Sequence, residues 1–430
     1  MKWRRLFVAI AVLSLIAGAC SSDGGGGTDS ENASGEPVTL DFWLYKEGYG
    51  FIDQVVSAFE AENPNIHIDV TNYPEQQYGV KMDTALAAGK PPDLALVGPE
   101  LMHAGLLLPL DGMVEEQGID LSTFNQGIVG TALGPTESCS FDGKLYCLGS
   151  YTGMVALFYN KDMFDAAGVP YPAAWPPMNV DQFVADACQL TDPDNQVWGA
   201  AYGDPITFLP WETVVSEDGK TATGIVNGPA SVEAHQVLAQ GMRDGCAPSL
   251  NILDPWEQGT DFFARGQLAM VVTDFQSLKK IENAGINYGV TGSPTATGIE
   301  PWFNVWTDSI GAFASTEHPA EAEAFIAFLA TEGQTLRVRS TGDLPLDTEV
   351  AKDLDWAGGV PGREEGLDVL QNARQGVFVP NRWDTFGPIF DAYSLIVTGD
   401  KSAQEALNEA APAIQENLDK AWDDWNSQDT

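Results

Sequence analysis

The sequence predicts an α/β protein whose first folded segment carries a largely parallel sheet, and three stretches make the prediction. Val38, Leu40 and Phe42 alternate with Thr39 and Asp41, the period of a strand with one buried face. Ile52, Val55, Val56 and Phe59 then recur at i, i+3, i+4 and i+7, one face of a helix that Asn63-Pro64 ends. Ile66, Ile68 and Val70 alternate again, residues 76–88 read as a helix stopped by Gly89-Lys90-Pro91-Pro92, and residues 93–97 form a short apolar strand. This β-α-β-α-β order calls for right-handed crossovers, and ligands of such sheets sit beyond the carboxyl ends of the strands. Those ends are Trp43-Leu44-Tyr45-Lys46-Glu47 and Gly98-Pro99-Glu100.

The rest repeats the logic less cleanly. Residues 154–159, 267–273 and 288–290 are apolar strands, the last followed by a Gly/Pro-rich loop over 291–301, and residues 310–314 begin another. Pro319 opens a helix in its first turn, where its missing N–H costs nothing; Glu321 and Glu323 suit that end, and Phe325, Phe328 and Leu329 give its buried face. Ser402-Ala403-Gln404-Glu405 is a capping box for a final helix with Leu407, Ala411, Ile414, Leu418 and Trp425 at helical spacing, and Pro412 should kink it.

Ahead of this body, Lys2, Arg4 and Arg5 precede an apolar run over residues 6–16 that is too short to span a membrane, and Ala17-Gly18-Ala19 are small enough for cleavage. The stretch resembles a bacterial lipoprotein signal over residues 1–19, with Ala17 where that class more often has Leu. The resemblance implies lipidation at Cys20 and attachment to the outer face of the cell membrane. Residues 20–37, with their Gly24–Gly27 run, read as a flexible tether.

The chain of 430 residues has a formal charge of −40, which becomes −43 without the three bases of residues 1–19. Such a surface repels nucleic acid and anionic lipid. Four further cysteines, an even number for an oxidising compartment, suggest the disulfides Cys139–Cys147 and Cys188–Cys246 among three possible pairings. There is no C-x-x-C, and His67, His103, His235 and His318 lack H-E-x-x-H or paired spacing, so neither a metal nor another cofactor is expected.

Several segments, in order, resemble one family, the extracellular solute-binding proteins of ABC importers, which includes maltose-binding protein. They are "VTLDFW…FIDQVVSAFEAENPNIHIDV", "KMDTALAAGKPPDLALV", "GKLYCLGSYTGMVALFYNKDMFDAAGV", "FARGQLAMVVTDFQSL" (with Asp274-Phe275 where Gly or Pro and Trp are commoner), "YGVTGSPTATG" and "NARQGVFVPNRW". The resemblance covers about residues 38–425. It implies a periplasmic-binding-protein-like fold of two α/β lobes joined by a hinge, with a ligand cleft between them. Lobe one would take 38–149 plus 304–345, and lobe two 150–303 plus 346–430. The implied partners are a carbohydrate and the membrane permease of an importer, the receptor itself being a monomer.

Sugar binding needs aromatic rings for the apolar face of a pyranose and charged or amide groups for its hydroxyl rim. The expected ligand contacts are Trp43, Tyr45, Glu47 and Glu100 at the first strand ends, Tyr151 before the central strand, Asp204 and Trp211 in a loop, Asp274 and Phe275 after a strand, Trp302, Asn304 and Trp306 at an expected crossing, and Arg382 and Trp383 in lobe two. Trp422 and Trp425 read as packing residues. A polyol, a glycerophosphodiester or a choline-type cation held in an aromatic cage could fill the same cleft. A secreted glycosidase would need two carboxylates about 5–9.5 Å apart. No local motif supports one, since Gly149-Ser150-Tyr151-Thr152-Gly153 lacks the spacing of a nucleophile elbow. The expectation is therefore a receptor that binds without chemistry.

Overall fold

In the computed structural model the described residues are 37–45, 50–125, 139–202, 213–250, 252, 257–301, 305–370, 372 and 377–427. Cys20, expected to carry the lipid, and the expected tether lie outside them. The first sheet follows from the alternation read above. Strand β1 (Val38–Tyr45) leads through α1 (Ile52–Glu62) to β2 (Ile66–Tyr73), then through α2 (Glu75–Ala87) to β3 (Leu94–Leu96). Both β2 and β3 pair with β1 in parallel. Leu40, Phe42 and Leu44 are fully buried, whereas Asp41, Trp43 and Tyr45 point to the opposite face, toward α2.

Short helices α3 (Pro99–His103) and α4 (Asp111–Gln117) follow, then a hairpin of β4 (Ser140–Phe141) and β5 (Lys144–Leu145). Its turn falls at Asp142-Gly143, both at positive φ, and the expected Cys139–Cys147 disulfide closes its base.

The second sheet is built on β6 (Gly153–Asn160), buried along its whole length. After β6 come α5 (Lys161–Ala167), α6 (Val180–Leu190), β7 (Trp198–Ala201), α7 (Pro229–Arg243), α8 (Glu257–Ala264), β8 (Leu268–Asp274), α9 (Leu278–Asn283) and β9 (Tyr288–Thr291). Here the expected parallel arrangement does not carry over. β6 runs antiparallel to β8, β9 and β10 (Val305–Trp306), and only β7 with β8 is parallel. A uniformly apolar strand does not reveal its direction, because burial on both faces suits either pairing. Leu157 and Tyr159 face a core shared with α5, α6, α7 and the last two helices, while Ala156 and Phe158 face Phe263, Phe275 and Ile281. The Cys188–Cys246 disulfide ties α6 to the segment after α7, as expected.

β11 (Ile310–Ala312) returns antiparallel to β3 at the edge of the first sheet. Then come α10 (Pro319–Ala330), α11 (Glu332–Thr341), α12 (Thr348–Asp353), α13 (Pro361–Leu370), α14 (Arg382–Thr398) and α15 (Ala403–Asn426). The capping box at Ser402 and Glu405 forms, and α15 continues through Pro412. The chain thus passes between the sheets at 149–152, at 307–309 and after Thr341. Val305 and Trp306 still pair with Met154 and Gly153, so the crossing expected after residue 303 comes after Trp306.

Candidate functional site

At the carboxyl end of the first sheet the strands deliver a group of rings. Parallel register sets Tyr45 beside Tyr73 and Trp43 beside Thr71. Trp43 meets Tyr73 edge-on at 5.0 Å between centroids, and Tyr45 lies 4.7 Å from Tyr78. Tyr78 comes from α2, and its hydroxyl donates to the Leu96 carbonyl at 2.7 Å; burial pushes that hydroxyl well above its usual titration range. Tyr45 and Tyr73 are half-buried and end their strands. Trp43 is more constrained, because its indole N–H donates to the Asp41 carboxylate at 3.0 Å. Burial raises the pKa of Asp41, which the indole bond partly offsets. Glu100 is half-buried at the start of α3. Its Oε2 occupies space that any side chain at Gly98 would need, 2.9 Å from the ideal Cβ position.

On the second sheet, Trp306 and Asp274 come to the same end, since Gly153 pairs with Trp306 and Val155 with Asp274. The Trp306 indole lies directly over Gly153: a Cβ there would stand 2.4 Å from Trp306 Nε1. The glycine is what lets the ring approach the strand. Asp274 caps the following 3-10 turn by accepting from Gln276 N at 2.8 Å and stays half-buried.

Two expected contacts are corrected. Tyr151 and Phe275 are each only 2% exposed. Tyr151 lies 3.8 Å beneath the Arg337 guanidinium, and Phe275 packs on Phe158 and against Gly366. Each follows a run of polar or strand residues that reads as a loop end, yet tertiary neighbours cover both. Lys46, Glu47, Asp204, Trp211, Trp302 and Asn304 lie outside the described residues, as do the side chains of Arg382 and Trp383 at the start of α14.

Between the two sheets stands a buried charge cluster that sequence reasoning missed. Arg337 of α11 donates to Asp308 at 2.6 Å and to Asp343 at 2.7 Å, and its Nη1 also reaches Ser150 Oγ at 3.1 Å. Asp308 accepts in addition from Ser150 N at 2.8 Å and Ser150 Oγ at 3.0 Å. Thr152 N donates to Leu344 O at 2.7 Å. A single guanidinium therefore holds residues from all three crossing segments. The planar guanidinium presents a rigid fork of donors that spans the two carboxylates in fixed directions, which a compact ammonium does not. Gly149 is required there as well, for a Cβ would fall 1.9 Å from Thr307 Oγ1. The one available signal was a basic residue inside "TLRVRST", and nothing in the sequence links it to an aspartate 29 positions earlier.

Among the described residues no group of three or more His, Cys, Asp or Glu could hold a metal. Two lobes joined by three crossing segments, each with half-buried rings and carboxylates near strand ends, are the architecture of a solute receptor. The chain belongs to the bacterial extracellular solute-binding protein family, which matches residues 44–336. A protein of Brucella abortus (strain 2308), provisionally named a binding protein, is 27% identical over 88% of this chain and 94% of its own length. The galactooligosaccharide-binding protein of Bacillus subtilis (strain 168) is 25% identical over 94% of this chain and 95% of its own. Among solved structures, an ABC substrate-binding protein of Listeria monocytogenes in complex with cycloalternan superposes with a TM-score of 0.72 at 23% identity, covering 89% of this chain and 99% of that one.

Proposed function

We propose that this chain is the receptor of an ABC importer that captures a carbohydrate, a di- or oligosaccharide, in the cleft between its lobes and presents it to the permease. The observation that carries this reading is the pairing of half-buried rings with carboxylates at the strand ends: Tyr45 and Tyr73 with Glu100 on one sheet, Trp306 with Asp274 on the other. Rings of this kind stack on a pyranose face while carboxylates accept from its hydroxyls. The galactooligosaccharide-binding relative and the cycloalternan-bound neighbour support the same ligand class. Glu47, Asp204, Trp211, Trp302, Asn304, Arg382 and Trp383 complete the proposed ligand set. Lobe one comprises 38–149 plus 307–345 and lobe two 150–306 plus 346–430. The receptor is a monomer that performs no chemistry, tethered outside the cell by lipid on Cys20, and the solute drives closure because it touches both lobes.

The test is the melting temperature of residues 37–430 against mono-, di- and oligosaccharides, polyols, glycerophosphodiesters and choline compounds. A ligand at 100 times its Kd stabilises by about 2.7 kcal/mol, a shift of several degrees. A lasting shift with a sugar is expected. A shift that fades as the sugar is cleaved, or one given by a phosphodiester or choline compound alone, would overturn the assignment.

A further inference from the structure

Helix α2 turns one stripe toward the first sheet. Tyr78, Met82 and Ala85, at i, i+4 and i+7, are buried, while Val80 on the outer side is 68% exposed. Tyr78 heads the stripe. It lies in the first turn of a helix that begins just after β2 ends at Tyr73, so it stands at the carboxyl end of the sheet. Packing alone would ask only for a ring here, yet this ring carries a bonded hydroxyl. It donates to the carbonyl of Leu96, the last residue of β3, at 2.7 Å, with the Trp43 carbonyl of β1 3.5 Å away. The ring is thereby fixed against the ends of two strands. One is β1, which delivers Tyr45; the other is β3, which leads through Gly98-Pro99 into Glu100.

The fixed ring meets both strand-end tyrosines. Tyr45 lies 4.7 Å away and tilted by 53°, and Tyr73 lies 6.5 Å away edge-on. Tyr73 also meets Trp43 at 5.0 Å, and the Asp41 carboxylate holds that indole. Tyr45 and Tyr73 keep part of their surface exposed, whereas Tyr78 is buried. We propose that Tyr78 is a positioning residue for the solute: it touches no ligand atom, and it holds Tyr45 and Tyr73 as a ready-made stacking surface in the free receptor. This deepens the carbohydrate reading and rests on it. A ring already held in its bound orientation loses less freedom when a sugar stacks on it, so the support given by Tyr78 appears as affinity. The hydroxyl sets the direction of the supporting ring and the ring supplies the contact, so substitution can separate the two.

Tyr78→Phe keeps the ring and loses the bond to Leu96, and Tyr78→Leu loses both. The first readout is calorimetric titration of residues 37–430, a compact unit separate from residues 1–36, with the compound the melting panel selects. Tyr78→Leu is expected to weaken binding about fivefold or more and Tyr78→Phe about twofold. A residue that only stabilised the fold would lower the melting temperature and leave Kd unchanged well below it. The second readout uses no ligand. With ring-13C tyrosine, the Tyr45 and Tyr73 signals are assigned from Tyr45→Phe and Tyr73→Phe, and their relaxation in Tyr78→Leu is expected to show added ring motion. A folded Tyr78→Leu with unchanged Kd, or with Tyr45 and Tyr73 relaxing as in the unaltered protein, would overturn the positioning role. If Tyr78→Leu does not fold, Tyr78→Phe decides by the same two readouts. If no sugar binds, the carbohydrate reading fails, and relaxation alone then decides whether Tyr78 holds the two rings.

Discussion

Replacing Arg337 with methionine keeps most of the side-chain length and removes the cation that pairs with Asp308 and Asp343. The guanidinium is 4% exposed, and the two carboxylates are 0% and 6% exposed. Removing one member of a buried ion pair costs about 3–5 kcal/mol, because the charge left behind has no water to replace its partner. Here one substitution strands two carboxylates. It also takes the cation from above the Tyr151 and Phe51 rings, at 3.8 and 4.4 Å, a contact worth up to about 2 kcal/mol when desolvated. The expected loss is about 5 kcal/mol, a third or more of the total for a protein of about 5–15 kcal/mol stability. Urea unfolding of residues 37–430, followed by tryptophan fluorescence and extrapolated linearly to water, measures it. Arg337→Lys should lose roughly half as much, since it keeps the charge but not the rigid fork that reaches Asp308, Asp343 and Ser150 together. Adding Asp343→Asn to Arg337→Met should recover part of the loss by removing one stranded charge. A loss below about 1 kcal/mol for Arg337→Met would refute the argument that the crossing segments depend on this guanidinium.

Three other outcomes follow from the same geometry. His235 is buried with Nδ1 on the Ser231 carbonyl at 2.7 Å, and burial lowers its pKa to about 4. The unfolded chain therefore binds the extra proton between pH 6.5 and 4, and stability present above 6.5 is lost as the pH falls. About 2 kcal/mol should go between pH 7 and 5, and His235→Gln should flatten that limb of a urea-midpoint profile; an unaltered slope would place the titrating group elsewhere. Replacing Cys188 and Cys246 with alanine should cost about 4 kcal/mol against about 2.5 kcal/mol for Cys139 and Cys147, because the closed loops span 58 and 8 positions, and non-reducing denaturant melts will rank them. Gly153→Ala should lower affinity for the sugar found in the melting panel by tenfold or more with a smaller change in melting temperature, since the new methyl would displace Trp306 from its strand; an unchanged Kd by calorimetry would remove Trp306 from the site.

Much of the first lobe was legible because its signals are local. Alternation at Val38, Leu40 and Phe42 and the helical face of Ile52, Val55, Val56 and Phe59 each depend on residues within a few positions of one another, and both elements form there. The hairpin turn at Asp142-Gly143 and the capping box at Ser402 are legible for the same reason. The second sheet was not, since a strand as uniformly apolar as β6 carries no mark of its direction. The candidate site divides along the same line. Tyr45 and Asp274 sit at strand ends that the sequence locates and Glu100 just beyond one, whereas Trp306, expected at a crossing, closes a short strand. Tyr151 and Phe275 also follow strand-end logic, but Arg337 and Gly366, distant in the chain, cover them.

Local pattern was enough for the α/β class, the order of strands and helices in the first lobe, the even set of cysteines and the acidic, aromatic-bearing character of a solute receptor, because period, caps and composition act over short stretches of chain. Packing sets which face of β1 meets α2, where the chain recrosses after Trp306, that one guanidinium gathers three crossing segments, and that Trp425 stacks on His103. Apart from Arg337 and Asp343, 6 positions apart, these are meetings of residues separated by 29 to 322 positions, and long-range contact depends on how whole elements pack, which no local pattern encodes.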